Sequence, residues 1–210
     1  MECFDVLSKT RQKLNYIKYR DERLKSNEYN QGSELWILNN GKLLITKRSM
    51  KKSHPGKWET PGGCSQKSET SIDTIIREVK EEIGIFLSEE NLELIGTQLY
   101  KKQFVDVFKT NETINSSNIK LQLEEVSEFR FVTKDEFIKM IKNNEIVTSV
   151  AYRYFMFKDI INIDWWLFYQ SFFLWNYVHT SKWQLRVIIT GLFFNIIVYF
   201  LLKFKFFLFG

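Results

Sequence analysis

The stretch Gly62–Ile85, GGCSQKSETSIDTIIREVKEEIGI, decides how the rest of the chain is read. It predicts a helix over Ser71–Ile83: Thr70 stands at the N-cap with Asp73 three residues on, and Gly84 falls just past the last periodic position. At the helical repeat, Ile72, Ile75, Ile76, Val79 and Ile83 form one stripe, the face such a helix buries. Glu78 and Glu82 lie along an edge of that stripe and Glu81 slightly further round, so the three carboxylates share an arc of roughly 100°. Like charges at these spacings each destabilise a helix by about a few tenths of a kcal/mol, and partial burial lifts a carboxyl pKa. A divalent cation removes the repulsion, and hard oxygen ligands from one helix face suit magnesium or manganese. A solvated glutamate face is the competing reading of an isolated EVKEE.

Outward from the helix, Glu34–Asn40 (ELWILNN) and Lys42–Arg48 (KLLITKR) are apolar runs joined at Asn39-Asn40-Gly41, which predicts an antiparallel hairpin. Lys51–Gly63 (KKSHPGKWETPGG) reads as a loop broken by Pro55 and Pro61, and Thr110–Asn118 as a polar loop. Leu92–Lys109 and Asn118–Val132 (NIKLQLEEVSEFRFV) read as further strand, and Lys134–Asn144 as a helix after its Thr133 cap. Strands and helices mix without the regular alternation a parallel sheet demands. The fold class is therefore α+β or a three-layer α/β/α arrangement.

A chain of 210 residues holds one well-cored domain and an appendage. Near Asp164 the composition turns aromatic and apolar, which predicts a catalytic domain over 1–163 and a separate tail over 164–210. The net charge is +5, but lysines are scattered among acids with no arginine-rich block, so no nucleic-acid polymer is predicted as a partner. Cys3 and Cys64 are too few for a disulfide framework or a structural zinc, and a reducing compartment fits best. The first residues lack the apolar stretch of a signal peptide, so the catalytic part is expected in the cytoplasm. His54 and His179 are isolated, without the acid and serine neighbours of a triad.

From Gly63, five residues precede Glu69, seven more precede Arg77-Glu78, and Val79-Lys80-Glu81-Glu82-Ile83-Gly84-Ile85 completes a string of 23 residues. This string resembles the Nudix box at every defining position. Glu28–Ser49, then His54–Gly63, Gln103–Phe108 and Glu124–Phe129 extend the resemblance over about residues 1 to 163, with a layout similar to isopentenyl-diphosphate isomerase. Two positions depart from that subgroup: Asn30 stands where histidine is usual, and Lys67-Ser68 replaces the usual small residue and glycine before Glu69.

The resemblance implies an α/β/α sandwich with a mixed sheet and hydrolysis of nucleoside diphosphates linked to another moiety, using Mg²⁺ or Mn²⁺. It implies that Glu78, Glu81 and Glu82 are metal ligands, that Arg77 orients Glu78, that Gly62 and Gly63 bring backbone close to the metal, and that Glu69 braces the loop. Glu125 is the candidate for a further carboxylate, as metal ligand or as base, with Glu124 its rival on the same expected strand. Glu78 is the other candidate base. Arg48 is a candidate contact for a substrate phosphate beside the reading of a solvated arginine, and Trp58 a candidate stacking residue beside the reading of a core residue. An isomerase is one alternative, although Cys64 follows Gly63 rather than preceding it; a nucleotide-binding module without catalysis is another. The partner expected in every case is a small diphosphate.

In the tail, Val187–Leu202 is free of charge and as a helix would extend about 24 Å, against a hydrocarbon core of about 30 Å. Lys203 and Lys205 can snorkel, which makes 187–209 a candidate transmembrane anchor, with Trp165, Trp166, Trp175 and Trp183 clustered ahead of it. The other readings are a packed segment or one that joins two copies in a homodimer, and a non-native extension from a reading-frame change.

Overall fold

The run Asn30–Asn39 sets the architecture, because its side chains alternate between two separate cores. The computed structural model describes residues 2–161; the boundary after residue 163 and the candidate anchor at 187–209 lie outside the described residues. Elements follow in the order β1 (Cys3–Leu7), β2 (Lys13–Tyr19), β3 (Asn30–Asn39), β4 (Lys42–Arg48), β5 (Trp58–Glu59), β6 (Gly62–Cys64), α1 (Ser71–Ile83), β7 (Glu93–Tyr100), β8 (Gln103–Thr110), β9 (Val126–Val132), α2 (Lys134–Lys142) and α3 (Thr148–Ile161). Leu35 and Ile37 of β3 pack with Leu44, Phe108 and the α1 stripe Ile75, Val79 and Ile83. Trp36 and Leu38 pack with Phe137, Met140, Val150 and Tyr154 of α2 and α3. The period of two along a strand thus serves both faces of one sheet, with helices on either side.

The main sheet has the order β5-β4-β3-β8-β7, and β1 with β2 forms a separate antiparallel hairpin. β3 runs parallel to β8 along Asn30–Ile37, whereas β7–β8, β4–β5 and β4–β9 are antiparallel, so the sheet is mixed. The other edge of β3 is shared. Its first half pairs with β6 (Ser33 opposite Gly63, Glu34 opposite Gly62), and only its end pairs with β4. That division places the double glycine against the central strand. Asn40 and Gly41 both have positive φ, 51° and 75°, as the tight hairpin turn requires.

Helix α1 has the expected termini. The Thr70 side chain accepts from the Asp73 N–H, Asp73 accepts from the Thr70 N–H, and Gly84 caps the far end in the left-handed conformation. Three elements differ from the expectation. Leu92–Lys109 is two strands folded at Lys101-Lys102, and Asn118–Val132 is strand only from Val126. In the latter stretch the Lys120 and Gln122 N–H groups donate to the carbonyls of Ile83 (2.9 Å) and Glu82 (3.0 Å), so the segment satisfies the open end of α1 instead of extending a ladder. Hairpin β1–β2 and helix α3 were not foreseen. In α3 apolar residues occur all round: Val150, Tyr154 and Ile161 are buried while Tyr152, Phe155 and Met156 are exposed, which erases the periodic stripe. No helix among the described residues is long and apolar enough to cross a membrane.

A buried charge pair joins α3 to the sheet. Arg153 Nε donates to Glu34 Oε2 at 2.7 Å, Trp36 Nε1 donates to Glu34 Oε1 at 2.9 Å, and Arg153 Nη1 reaches Gln98 Oε1 at 3.1 Å. Removing one partner strands the other in a low-dielectric core. Arg153→Met is expected to cost about 3–5 kcal/mol in urea unfolding, with Arg153→Met/Glu34→Leu costing far less than the sum of the single changes. Simple additivity would show that the pair is not the joint described.

Candidate active site

Helix α1 carries Glu78 and Glu82 on its buried edge, 9% and 2% exposed, while the Glu81 side chain is 49% exposed. The space that Glu78 occupies exists because residue 63 has no side chain: a Cβ there would lie 2.2 Å from Glu78 Oε1. A Cβ on Gly62 would lie 2.3 Å from the Ser33 carbonyl oxygen. The double glycine therefore lets β3, the loop and the carboxylates of α1 approach with nothing between them.

Arg77 ties that arrangement together. Its Nε donates to Glu69 Oε1 at 2.6 Å and its Nη2 to Glu69 Oε2 at 3.0 Å and to the Cys64 carbonyl at 3.1 Å. Nη1 lies 3.0 Å from Glu78 Oε1 and 3.0 Å from Glu81 Oε2. Glu69 in turn accepts from the Gln66 N–H at 2.7 Å and the Thr74 hydroxyl at 3.1 Å, closing the loop onto the start of α1. Burial lifts the Glu78 carboxyl above its ordinary range, and Arg77 offsets part of the rise.

Glu82 is the most enclosed of the three. Its Oε2 accepts weakly from the Gly62 N–H at 3.4 Å. Oε1 is buried and accepts no hydrogen bond, with Lys52 Nζ 3.5 Å away at the limit of an ion pair. Burial, with the nearby charge of Glu59, pushes this carboxyl up to about 8, although Lys52 opposes the rise. Lys52 also ion-pairs with Glu125, so one ammonium group bridges Glu82 and Glu125.

Several expectations change here. Glu124 and Glu125 precede β9 and sit in a turn, so strand alternation does not divide them. Their partners do: Glu124 pairs with Lys51 and is 68% exposed, whereas Glu125 shares Lys52 with Glu82. Arg48 does not present a free guanidinium to a phosphate. Its Nη1 lies 2.6 and 2.7 Å from the two oxygens of Glu59, whose side chain is only 12% exposed and needs a counter-charge, and it also holds the Ser53 carbonyl and hydroxyl. Trp58 belongs to the core of the sheet, 4% exposed, with Arg130 4.6 Å and Lys47 5.6 Å from its ring, which is the core reading of this residue. Glu81 meets Glu78 on one nitrogen, each carboxylate 3.0 Å from Arg77 Nη1. Among the described residues no three His, Cys, Asp or Glu side chains converge as a ready-made metal cage.

Glu59 and Lys52 were missed by sequence reasoning. Both lie in the stretch read as a proline-broken loop, where two prolines hide the two-residue strand β5, and the partners of Lys52, Glu82 and Glu125, are remote in sequence.

Two predictions follow from this packing. Gly63→Ala is expected to cost about 1–3 kcal/mol as an overpacked contact, and most of that cost is expected to vanish in a Glu78→Ala background; equal costs in both backgrounds would remove the close approach as its cause. Because the folded protein holds a proton on Glu82 that the unfolded chain releases, metal-free protein in chelator is expected to lose stability as pH rises from about 4.5 toward 8. Glu82→Gln is expected to make that slope shallower, leaving the smaller part due to Glu59 and Glu78. Parallel melting-temperature profiles for the two proteins would refute the assignment.

Residues 33–155 match the NUDIX domain family model. The chain is 30% identical over 166 residues to an uncharacterized Nudix hydrolase of Listeria monocytogenes, covering 78% of this chain and 95% of that protein. It is 31% identical over 150 residues to one of Listeria innocua, covering 70% and 89%. A Deinococcus radiodurans protein of known crystal structure superposes with a TM-score of 0.58 at 18% identity, over 70% of this chain and 92% of that one; at this identity the likeness is one of fold. With a family match across more than half of its length and relatives aligned over nearly their whole extent, the chain belongs to the Nudix hydrolases, enzymes that act on diphosphate bonds.

Proposed function

We propose that this chain is a magnesium- or manganese-dependent hydrolase that cleaves the diphosphate linkage of a nucleoside diphosphate derivative by attack of water on phosphorus. The observation that carries the reading is the buried Glu82 Oε1, which accepts no hydrogen bond and lies where an ammonium group bridges Glu82 and Glu125. A buried carboxylate oxygen without a donor is costly, and a hard cation relieves that cost. The donors fit such an ion. Glu78 and Glu82 supply hard oxygens from one helix edge, Glu81 can turn in from the Arg77 side, and an ion that keeps several waters and binds substrate phosphates needs no complete protein cage.

When bound, the ion neutralises phosphate oxygens and lowers the pKa of a water. The chain's own residues do the rest. Arg77 holds Glu78 against the double glycine while Glu69 fixes Arg77 from the loop. Glu125, on a partly exposed turn, is assigned as the base that takes the proton from the attacking water, a role worth about 10² to 10⁴ in rate. Once Lys52 leaves Glu125 its ammonium is available to a phosphate oxygen. Cys64 does not act as an acid on carbon in this reading: its Sγ accepts from Gln103 Nε2 at 3.0 Å and its carbonyl is held by Arg77.

The test is a product-resolved screen of nucleotide sugars, dinucleotides, nucleoside di- and triphosphates and prenyl diphosphates with each metal, run in heavy-oxygen water. Turnover is expected only with metal present, with the label on a phosphate product, and Glu82→Gln is expected to lower kcat by at least about 100-fold. Label in the alcohol or sugar product, or no turnover across the panel, would refute the proposal.

A further inference from the structure

Ser68, the residue before Glu69, has a backbone φ of 68°. A residue with a Cβ seldom adopts this left-handed conformation unless its surroundings hold it there. Those surroundings come from the amino-terminal hairpin, which lies outside the matched family region. The Ser68 N–H donates to Asp5 Oδ2 at 3.0 Å, and the adjacent Lys67 N–H donates to the Cys3 carbonyl at 2.8 Å. Both acceptors are on β1. Burial works to raise the Asp5 carboxyl, but Lys13 Nζ at 2.6 Å and the Ser68 N–H outweigh it and keep the acceptor ionised.

The hairpin is itself fixed to the central sheet. Phe4, Val6 and Leu7 are buried, and Leu7 exchanges two backbone hydrogen bonds with Tyr29, of 2.8 and 2.9 Å. Arg11 reaches across to Asp106 Oδ1 at 2.9 Å and Gln31 Oε1 at 2.8 Å, and the Gln31 carbonyl accepts from the Ser65 N–H at 3.0 Å. The loop Ser65–Glu69 is thus held at one end by β3 and at the other by β1. Immediately after the bend, Glu69 meets Arg77, and Arg77 meets Glu78.

We propose that Asp5 is a positioning residue of the active site: from the amino-terminal hairpin it holds the left-handed bend at Ser68 that sets Glu69 on Arg77, and through Arg77 it aims Glu78. The inference rests on the reading of Glu78 and Glu82 as holders of a divalent ion. The hairpin then belongs to the catalytic apparatus although it contributes no group to the reacting atoms.

Full-length wild-type protein, Asp5→Ala, Asp5→Asn, Ser68→Gly and Asp5→Ala/Ser68→Gly test this by Mn²⁺ affinity, read from the paramagnetic resonance signal of the free ion, and by amide hydrogen exchange over Gln66–Glu69. Asp5→Ala is expected to weaken Mn²⁺ binding by roughly tenfold, at the low end for loss of an outer-shell partner, and to speed exchange at Ser68 and Glu69. Adding Ser68→Gly is expected to restore binding to within about twofold of wild type, because glycine takes the bend unaided. Asp5→Asn, which keeps an acceptor, is expected to stay near wild type. Undiminished binding in Asp5→Ala, or no recovery on adding Ser68→Gly, overturns the inference and leaves the metal reading standing. An Asp5→Ala protein that does not fold also overturns it, since the aspartate would then serve stability and not the site. Wild-type protein that binds no Mn²⁺ overturns the metal reading and this inference with it.

Discussion

The guanidinium of Arg77 is the interaction on which the site depends. Its fork geometry lets a single planar group engage a carboxylate with two parallel bonds, a loop carbonyl and two further carboxylates. A lysine could supply the charge but not the directions. Without this group, Glu78 would sit buried beside Glu82 without its nearest counter-charge, and Glu69 would lose the ion pair that joins its loop to the helix. The double glycine supplies the complementary condition, an absence of atoms where the carboxylate must go.

Charge elsewhere in the site follows the same logic at larger scale. Glu59, Glu78 and Glu82 crowd one region, and each is lifted by burial. The protein answers with cations drawn from different segments: Arg48 for Glu59, Arg77 for Glu78, and Lys52 between Glu82 and Glu125. Among the described residues, only Glu82 is left with a fully buried carboxylate oxygen that no hydrogen bond reaches. Once Glu82 gives up its proton, the resulting imbalance is local, negative and enclosed, a setting in which a small hard cation gains most.

Helix α1 was legible from Gly62–Ile85 because all its determinants are local: the cap, the stripe and the terminal glycine fall within a few turns of one another. The Asn40-Gly41 hairpin was legible for the same reason. What escaped was set by distant partners. Arg48 and Trp58 were candidates for substrate contacts, but a counter-charge requirement at Glu59 claims the one and sheet packing claims the other. Glu125 was placed on a strand, whereas the backbone there turns to reach the end of α1. The departure at Lys67-Ser68 was visible but not its support, since the carboxylate that holds Ser68 lies far upstream, on β1.

The backbone bonds from Lys120 and Gln122 to the last carbonyls of α1 have an evolutionary consequence. They register the turn bearing Glu125 against the helix bearing Glu82, independently of how the chain arrives there. The preceding connection can therefore vary in length on either side of Ile114, which is anchored in the α1 core with its carbonyl held by Asn39 Nδ2 at 2.8 Å, while the two acids keep their spacing.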